Sequence, residues 1–506
     1  MLKTPVVETI DESLSEFAKL LKVDSFDEEA ALQPMLSEGL LNVNEEVSDA
    51  ARFVSSLATI VWNVEPDTSK LDKGKIQKLI AQLDGMINDQ LNEVIHHPEF
   101  QELEATWRGI YDLISGVNFK AKDEAKVMID ILDVSKEELQ QDFENNAIDF
   151  TNSNLHRRIY SREYDQWGAF PFGAIVGMYQ FNHTPSDLTW LKIMGKIANA
   201  SHAPFISSVS PQFFGCDSTE QLAAVNDLEG LMNHSKYSAF NALRDSDEAA
   251  YLGLCLPSYI LRLPWHPVNN PCGSFNFLEY TWGDDHHKYL WGNSSILFAK
   301  NLVRSFQTSG WCQHIRGPKG GGLITGLPIH TFNIWGEEEI KTPVEIMVPG
   351  TRELEFANSG FMPLIYRKGS GEACFFSAQS LKKAKKYRDP KDSENAQLVC
   401  NLPYTFSITR IAHYVQSIAR EEIGNTVDAA YMEKILNQWI FDYVTTITNP
   451  DDLTLRRYPF KAAKIQVNPR PGRIGYFDCK ISVLPHLQFE GMSVELSMET
   501  RLDTKK

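Results

Sequence analysis

The stretch from Asn395 to Gly424 constrains this chain more than any other, because it carries a strong helix signal with two usable faces and no catalytic chemistry. Pro403 suits a first helical turn, where its missing N–H costs nothing, and Gly424 suits the position just past a helix end. Tyr404, Ile408, Ile411, Val415 and Ile418 recur at steps of four, three, four and three, so they form one apolar stripe. At about 100° per residue, Phe406, Arg410, His413 and Arg420 fall on the opposite side. The spacing predicts either a core helix with a solvated back or a helix whose back docks a partner, and on it His413 is a surface candidate.

Other segments place this helix in an α/β chain. Ala51, Val54, Leu57, Ala58 and Val61 line one side of a predicted helix from Ser48 to Asn63, and residues 65–74 read as a linker. Ile76, Leu79, Ile80, Leu83, Ile87, Leu91 and Val94 follow as a 3.6-period stripe. His97-Pro98 breaks that stripe and opens a second helix with Phe100, Leu103, Trp107, Ile110 and Ile114, giving a helical hairpin. Residues 127–132 and 173–179 read as strands, Ser135-x-x-Glu138 as a capping box, and Thr184-Pro-Ser-Asp187 as a helix start. Strand, helix, strand, helix is the α/β pattern. From Leu254 to Phe376, frequent Pro and Gly suggest an irregular β-rich insertion. A lysine-rich hinge (Lys382, Lys383, Lys385, Lys386) precedes the two-helix block 394–445. Alternating strands then carry Ala463, Ile465, Val467, Ile481, Val483, Val494 and Leu496, interrupted at Pro469-Arg-Pro-Gly472.

Composition bounds the partners. At 506 residues two or three domains are expected, and 43% hydrophobic residues suffice for packed cores. A formal charge of −17 disfavours nucleic acid and anionic membranes as partners. Residues 1–60 hold twelve Asp/Glu against four Lys/Arg, a net of −8. Residues 455–480 hold seven Lys/Arg against Asp478 alone, so front and back could pair between copies, or each could be a solvated surface. Seven scattered cysteines without a Cys-x-x-Cys pair, no visible signal peptide and no 18-residue apolar run predict a reduced cytoplasmic protein without membrane insertion.

Catalytic constellations are thin. Asp284-Asp-His-His287 is the best metal-like cluster, and a cytosolic α/β enzyme using it is an alternative reading. Adjacent residues on a strand face opposite ways, however, and no fixed-spacing partner follows. Gly317-Pro-Lys-Gly-Gly-Gly322 lacks the Gly-Lys-[Ser/Thr] ending of a phosphate loop and reads as a tight turn. Ser380-Leu-Lys-Lys383 has no companion motifs. No catalytic residue, cofactor or metal is expected.

The stretch His97-Pro-Glu-Phe-Gln-Glu-Leu-Glu-Ala-Thr-Trp-Arg-Gly-Ile110 resembles a signature of the large sheath subunit of type VI secretion systems, the TssC/VipB family with its divergent IglB branch. Residues 395–424 resemble a second signature. Ala203-Pro-Phe205, Tyr289-Leu-Trp-Gly292, Gly310-Trp311, Ile315-Arg-Gly317, Gly320-Gly-Gly322 and Leu484-Pro-His486 follow the family's order. The resemblance covers roughly residues 60 to 490. It implies a mixed α/β, phage-tail-sheath-like subunit, with an acidic helical segment (1–64), a tail-sheath domain (65–376) and a C-terminal sheath domain (377–506). It implies a mechanical role, in which a small TssB/VipA/IglA-type subunit and copies of the chain stack around an Hcp-type inner tube and contract. A baseplate and an AAA+ disassembly ATPase are further implied partners, the ATPase gripping residues 1–47. A single-component phage-tail-like sheath protein is the other alternative. Mapped onto this sequence, the resemblance implies inner-tube contacts at Lys382, Lys383, Lys385, Lys386, Arg410, His413 and Arg420. Surplus apolar stripes suggest a small-subunit interface at Val54, Leu57, Val61 and Trp107, or else a self-contained three-helix core. Ile481, Val483, Val494 and Leu496 are expected in strands shared between subunits.

Overall fold

The computed structural model describes residues 73–486 apart from 121–124, 274–275, 282–284, 335–336, 386, 426–427, 446, 448–449 and 474. The expectations at Val54, Leu57, Val61, Asp284, Lys386, Val494 and Leu496 therefore lie outside the described residues. The chain divides into two compact units, one of residues 1–103 and 263–289, the other of residues 104–262 and 290–506.

In the first unit the hairpin forms where its breaker predicts, with α1 (Lys73–Ile95) ending before His97 and α2 (Pro98–Ser115) opening at Pro98. The unit boundary falls inside α2, after Leu103. What α1 buries differs from its apolar stripe. Ile80 and Ile87 are largely exposed, while Asn88 and Asn92 are buried. The two carboxamides, one helical turn apart, hold the extended backbone around Leu278. Leu278 N–H donates to Asn88 Oδ1 (2.7 Å), Asn92 Nδ2 donates to the Leu278 carbonyl (2.9 Å), and Tyr280 N–H donates to Asn92 Oδ1 (2.7 Å). Periodicity locates a stripe; it cannot say which neighbour covers it.

The second unit is built on a six-stranded sheet. Its strands are β1 (Ile175–Phe181), β2 (Phe205–Val209), β3 (Leu252–Leu256), β4 (Leu323–Ile324), β5 (Phe361–Tyr366) and β6 (Ala373–Phe375), in spatial order β1-β2-β3-β5-β6-β4. The first four in that order run parallel, and the last two joins are antiparallel. β2 and β3 are buried along their whole length, the mark of a parallel sheet covered on both faces. Ser135 and Glu138 cap α3 (Lys136–Asn145) reciprocally, and Thr184 caps α4 (Pro185–Ala200), which buries Leu188, Leu191, Met194 and Ile197. Two expectations need correction. Residues 254–376 are β-rich but form no insertion, since they supply β4, β5 and β6 as well as α5 (Ser294–Ser309). Residues 127–132 form no strand, with Met128, Ile131 and Leu132 exposed, because a run of apolar residues becomes a strand only where a neighbour completes the ladder.

The C-terminal block holds α6 (Pro390–Val399), α7 (Leu402–Glu421), α8 (Ala429–Phe441) and an antiparallel ribbon of β7 (Phe460–Pro469) with β8 (Phe477–Pro485). Met432, Leu436 and Ile440 of α8 pack with Phe460, Ile465 and Val467 of β7 in one cluster. A two-stranded ribbon is marginal alone, so this helix is what holds it.

Candidate assembly surfaces

In the ribbon, Ile465 lies opposite Ile481 and Ala463 opposite Val483. These side chains point toward α8, while Lys464, Gln466, Lys480 and Ser482 face outward and are exposed. The two edges differ. Along β7, Ile465 N–H donates to Asn437 Oδ1 (2.9 Å) and Asn437 Nδ2 donates to the Ile465 carbonyl (2.7 Å). Backbone groups of Ile465 therefore point away from β8, and antiparallel alternation turns those of Cys479, Ile481 and Val483 away from β7. Among the described residues this outer edge of β8 has no hydrogen-bond partner.

Helix α7 serves two clusters. Leu402 and Phe406 enter the cluster on the main sheet, whereas Ile411 and Val415 join the one beneath the ribbon. The buried face consequently rotates along the helix, so Phe406 is buried and Ile408 is 44% exposed, the reverse of the sequence expectation. Nor is the back of α7 solvated. The Arg410 guanidinium lies over Phe306 (4.5 Å) and Trp311 (5.4 Å) and donates to the Tyr414 hydroxyl. The His413 ring Nε2 sits 3.0 Å from the Ser201 carbonyl, beside Tyr164 and His202. Arg420 donates to the Tyr164 carbonyl and pairs with Asp165 (2.7 Å). The three α7 side chains among those expected at the inner tube are thus engaged within the chain, because residues far apart in sequence pack on that face. Lys382 pairs with Asp247 (2.5 Å), whereas Lys383 and Lys385 are exposed.

Trp107 is 62% exposed, and Tyr111, one turn on, is also exposed. On the same helix Glu104 accepts from Arg262 Nε (2.8 Å) and Arg108 Nε (2.6 Å). Burial alone would raise the Glu104 pKa, but hydrogen bonds and charge from Arg262 and then Arg108 outweigh it and hold the carboxyl below its ordinary value. Glu104 lies within the first signature, but its partner Arg262 is 158 residues away and no local pattern announces it.

The remaining motifs are structural. A Cβ on Gly320, Gly321 or Gly322 would collide with the backbone oxygens of Arg316, His314 and Phe375, so the glycine run closes a tight turn on residues 314–316 and lies against β6. Trp311 meets Tyr443 and Phe460 edge-on. Asp285 pairs with Lys288 next to His286 and His287, and among the described residues no cluster of three or more His, Cys, Asp or Glu could hold a metal. Likewise, no helix among them is long and apolar enough to cross a membrane.

Burial gives the chain an acid sensitivity. His413 is held down to about 4 by burial first, with His202 and Arg410 adding and the Ser201 carbonyl opposing; His314 is held at about 4 by burial and then Arg456. An unfolded histidine titrates near 6.5. The folded-state values are depressed, so the unfolded chain binds more protons between pH 6.5 and 4. Stability is then fully present above about 6.5 and falls with pH, by up to about 1.4 kcal/mol per pH unit per histidine. Guanidinium midpoints should be lower at pH 5 than at pH 7.5, and His413→Gln should shrink that difference. Equal midpoints for the native chain would contradict this.

The comparisons with known proteins define a class. Residues 77–382 match the family described as EvpB/VC_A0108, tail sheath N-terminal domain, and residues 391–502 match EvpB/VC_A0108, tail sheath gpW/gp25-like domain. This is a tail-sheath protein, a structural class. The chain is 35% identical over 502 residues to type VI secretion system sheath protein TssC1 of Pseudomonas aeruginosa, across 99% of this chain and 97% of that one. It belongs to the TssC/VipB family of type VI secretion sheath proteins. Among solved structures it is similar to a chain of the anti-feeding prophage baseplate, with 10% identity, TM-score 0.37 and coverage of 74% of this chain and 83% of that one. A chain of the contracted anti-feeding prophage helical sheath gives 9% identity and TM-score 0.28, covering 62% and 67%.

Proposed function

We propose that this chain is the large subunit of a contractile sheath that works in the bacterial cytoplasm. It pairs with a small TssB/VipA/IglA-type subunit, stacks with copies of itself around an Hcp-type inner tube on a baseplate, and contracts to propel that tube. The observation that carries the reading is the outer edge of β8, whose backbone groups have no hydrogen-bond partner among the described residues and suit addition of a neighbour's strand. Contraction then switches the same subunits between two packings and uses no cofactor. Electron microscopy of the chain co-expressed with a small-subunit neighbour tests it. Tubes that need both proteins are expected; tubes from this chain alone would favour the single-component alternative.

Exposed Ile80, Met86, Ile87, Phe100 and Leu103 support docking of the small subunit on the hairpin, with Trp107 as a further contact and Val54, Leu57 and Val61 on the preceding segment. The gap between the matched family domains, 382 to 391, supports a boundary in the lysine hinge, just past the expected start of the C-terminal domain at residue 377. An AAA+ ATPase recycles contracted sheaths through residues 1–47. Inner-tube contact rests on the two exposed hinge lysines, and a weak polar interface suits a tube that must be released, since exposed charge pairs contribute only about 0–1 kcal/mol. Reversing Lys383 and Lys385 to Glu should reduce the inner-tube protein co-purified with sheaths, and unchanged tube content would remove these residues from the interface.

A further inference from the structure

The two edges of the ribbon are treated oppositely, and helix α8 makes the difference. Glu433 and Asn437 lie four residues apart, about 6 Å along the helix axis. Val467 and Ile465 lie two apart on β7, about 6.6 Å along the strand. Because these repeats nearly match, each helix side chain meets one strand residue whose backbone groups point away from β8. Val467 N–H donates to Glu433 Oε2 (3.1 Å), and Asn437 makes both bonds that a neighbouring strand would make to Ile465. Nearer its start, β7 is covered by backbone, with Thr445 N–H donating to the Phe460 carbonyl (3.0 Å). In the other unit, Asn88 and Asn92 of α1 hold Leu278 and Tyr280 with the same four-to-two spacing. A carboxamide supplies one donor group and one acceptor in a plane, which is what a strand edge presents.

We propose that Asn437, with Glu433, is an edge guard: it occupies β7 as a substitute strand, so that strands of other copies add only to β8. Asn437 is then a specificity-determining residue for assembly, making each subunit accept on one side of its ribbon. The proposal rests on the strand-addition reading above. Without the guard the ribbon has two open edges, and copies can associate through the wrong one.

The test compares the full-length chain with Asn437→Leu, which removes both bonds at similar volume, and with Glu433→Gln, which keeps an acceptor for Val467. Hydrogen exchange at the Ile465 and Val467 amides is followed with mass by light scattering across concentration. For Asn437→Leu, exchange at Ile465 should rise at least tenfold in dilute solution. Mass should then grow with concentration beyond that of the native chain, and both amides should become protected again in the associated fraction. Glu433→Gln should behave like the native chain. Re-protection on association separates a guard from a merely structural residue, whose loss would speed exchange at every concentration. Faster exchange without added association, or association that leaves Ile465 and Val467 exchanging, would overturn the proposal. If Asn437→Leu does not fold, Asn437→Asp, which keeps the acceptor and loses the donor, is read by the same outcomes. Should a chain ending at Leu487 still form tubes while Asn437→Leu associates through β7, the guard stands and the strand-addition reading falls.

Discussion

A chain ending at Leu487 is expected to be soluble and to form no sheath tubes when co-expressed with the small subunit. The deletion spares the folded cluster beneath the ribbon, whose members among the described residues reach only to Val483. It removes the alternating run Met492-Ser-Val-Glu-Leu-Ser-Met-Glu499, in which Val494, Leu496 and Met498 share one side and Glu495 and Glu499 the other. Laid along β8 of a second copy, such a strand would set apolar residues toward Ile481 and Val483 and carboxylates beside exposed Lys480 and Lys464. The loss should be all-or-none, because a lattice multiplies each weak link by its copy number. Electron microscopy reads the outcome directly, and tubes of normal length from the truncated chain would refute it.

The second large effect concerns Glu104. Its side chain and that of Arg262 are only 13% and 8% exposed, so solvent screens the pair little. Removing one partner of a buried ion pair typically costs about 3–5 kcal/mol, because the other charge is left without compensation. Glu104→Ala should therefore lower stability by that order in chemical denaturation. Replacing both partners with apolar residues, as in Glu104→Leu with Arg262→Leu, should recover most of the loss, since the pair's own net contribution is small. A single-variant loss below about 1 kcal/mol would mean that other contacts of Arg262, or water, compensate.

Much of the local structure was legible in the residues. Pro98 and Pro403 mark helix starts, Ser135 and Thr184 cap helices, and the ribbon turns at Pro469-Arg-Pro-Gly472, because these depend on backbone chemistry within a few positions. The family signatures were legible too. Gly292, Gly320, Gly321, Gly322 and Trp311 among their residues prove to be closely packed, while Trp107 stands exposed.

Partner choice was not legible. The sequence by itself determined most of the described helices and the C-terminal ribbon, that the chain is mixed α/β, and which family it resembles. Only the tertiary structure decided that Asn88 and Asn92 go inside while Ile80 and Ile87 stay out, that Arg410, His413 and Arg420 are engaged within the chain, and that Asn437 and Glu433 occupy β7 while, among the described residues, the outer edge of β8 has no partner. Periodicity and capping act over one or two turns of chain. Burial and edge pairing depend on groups that meet across 28 residues at Asn437 and Ile465, or 190 at Asn88 and Leu278, and no local pattern encodes that meeting.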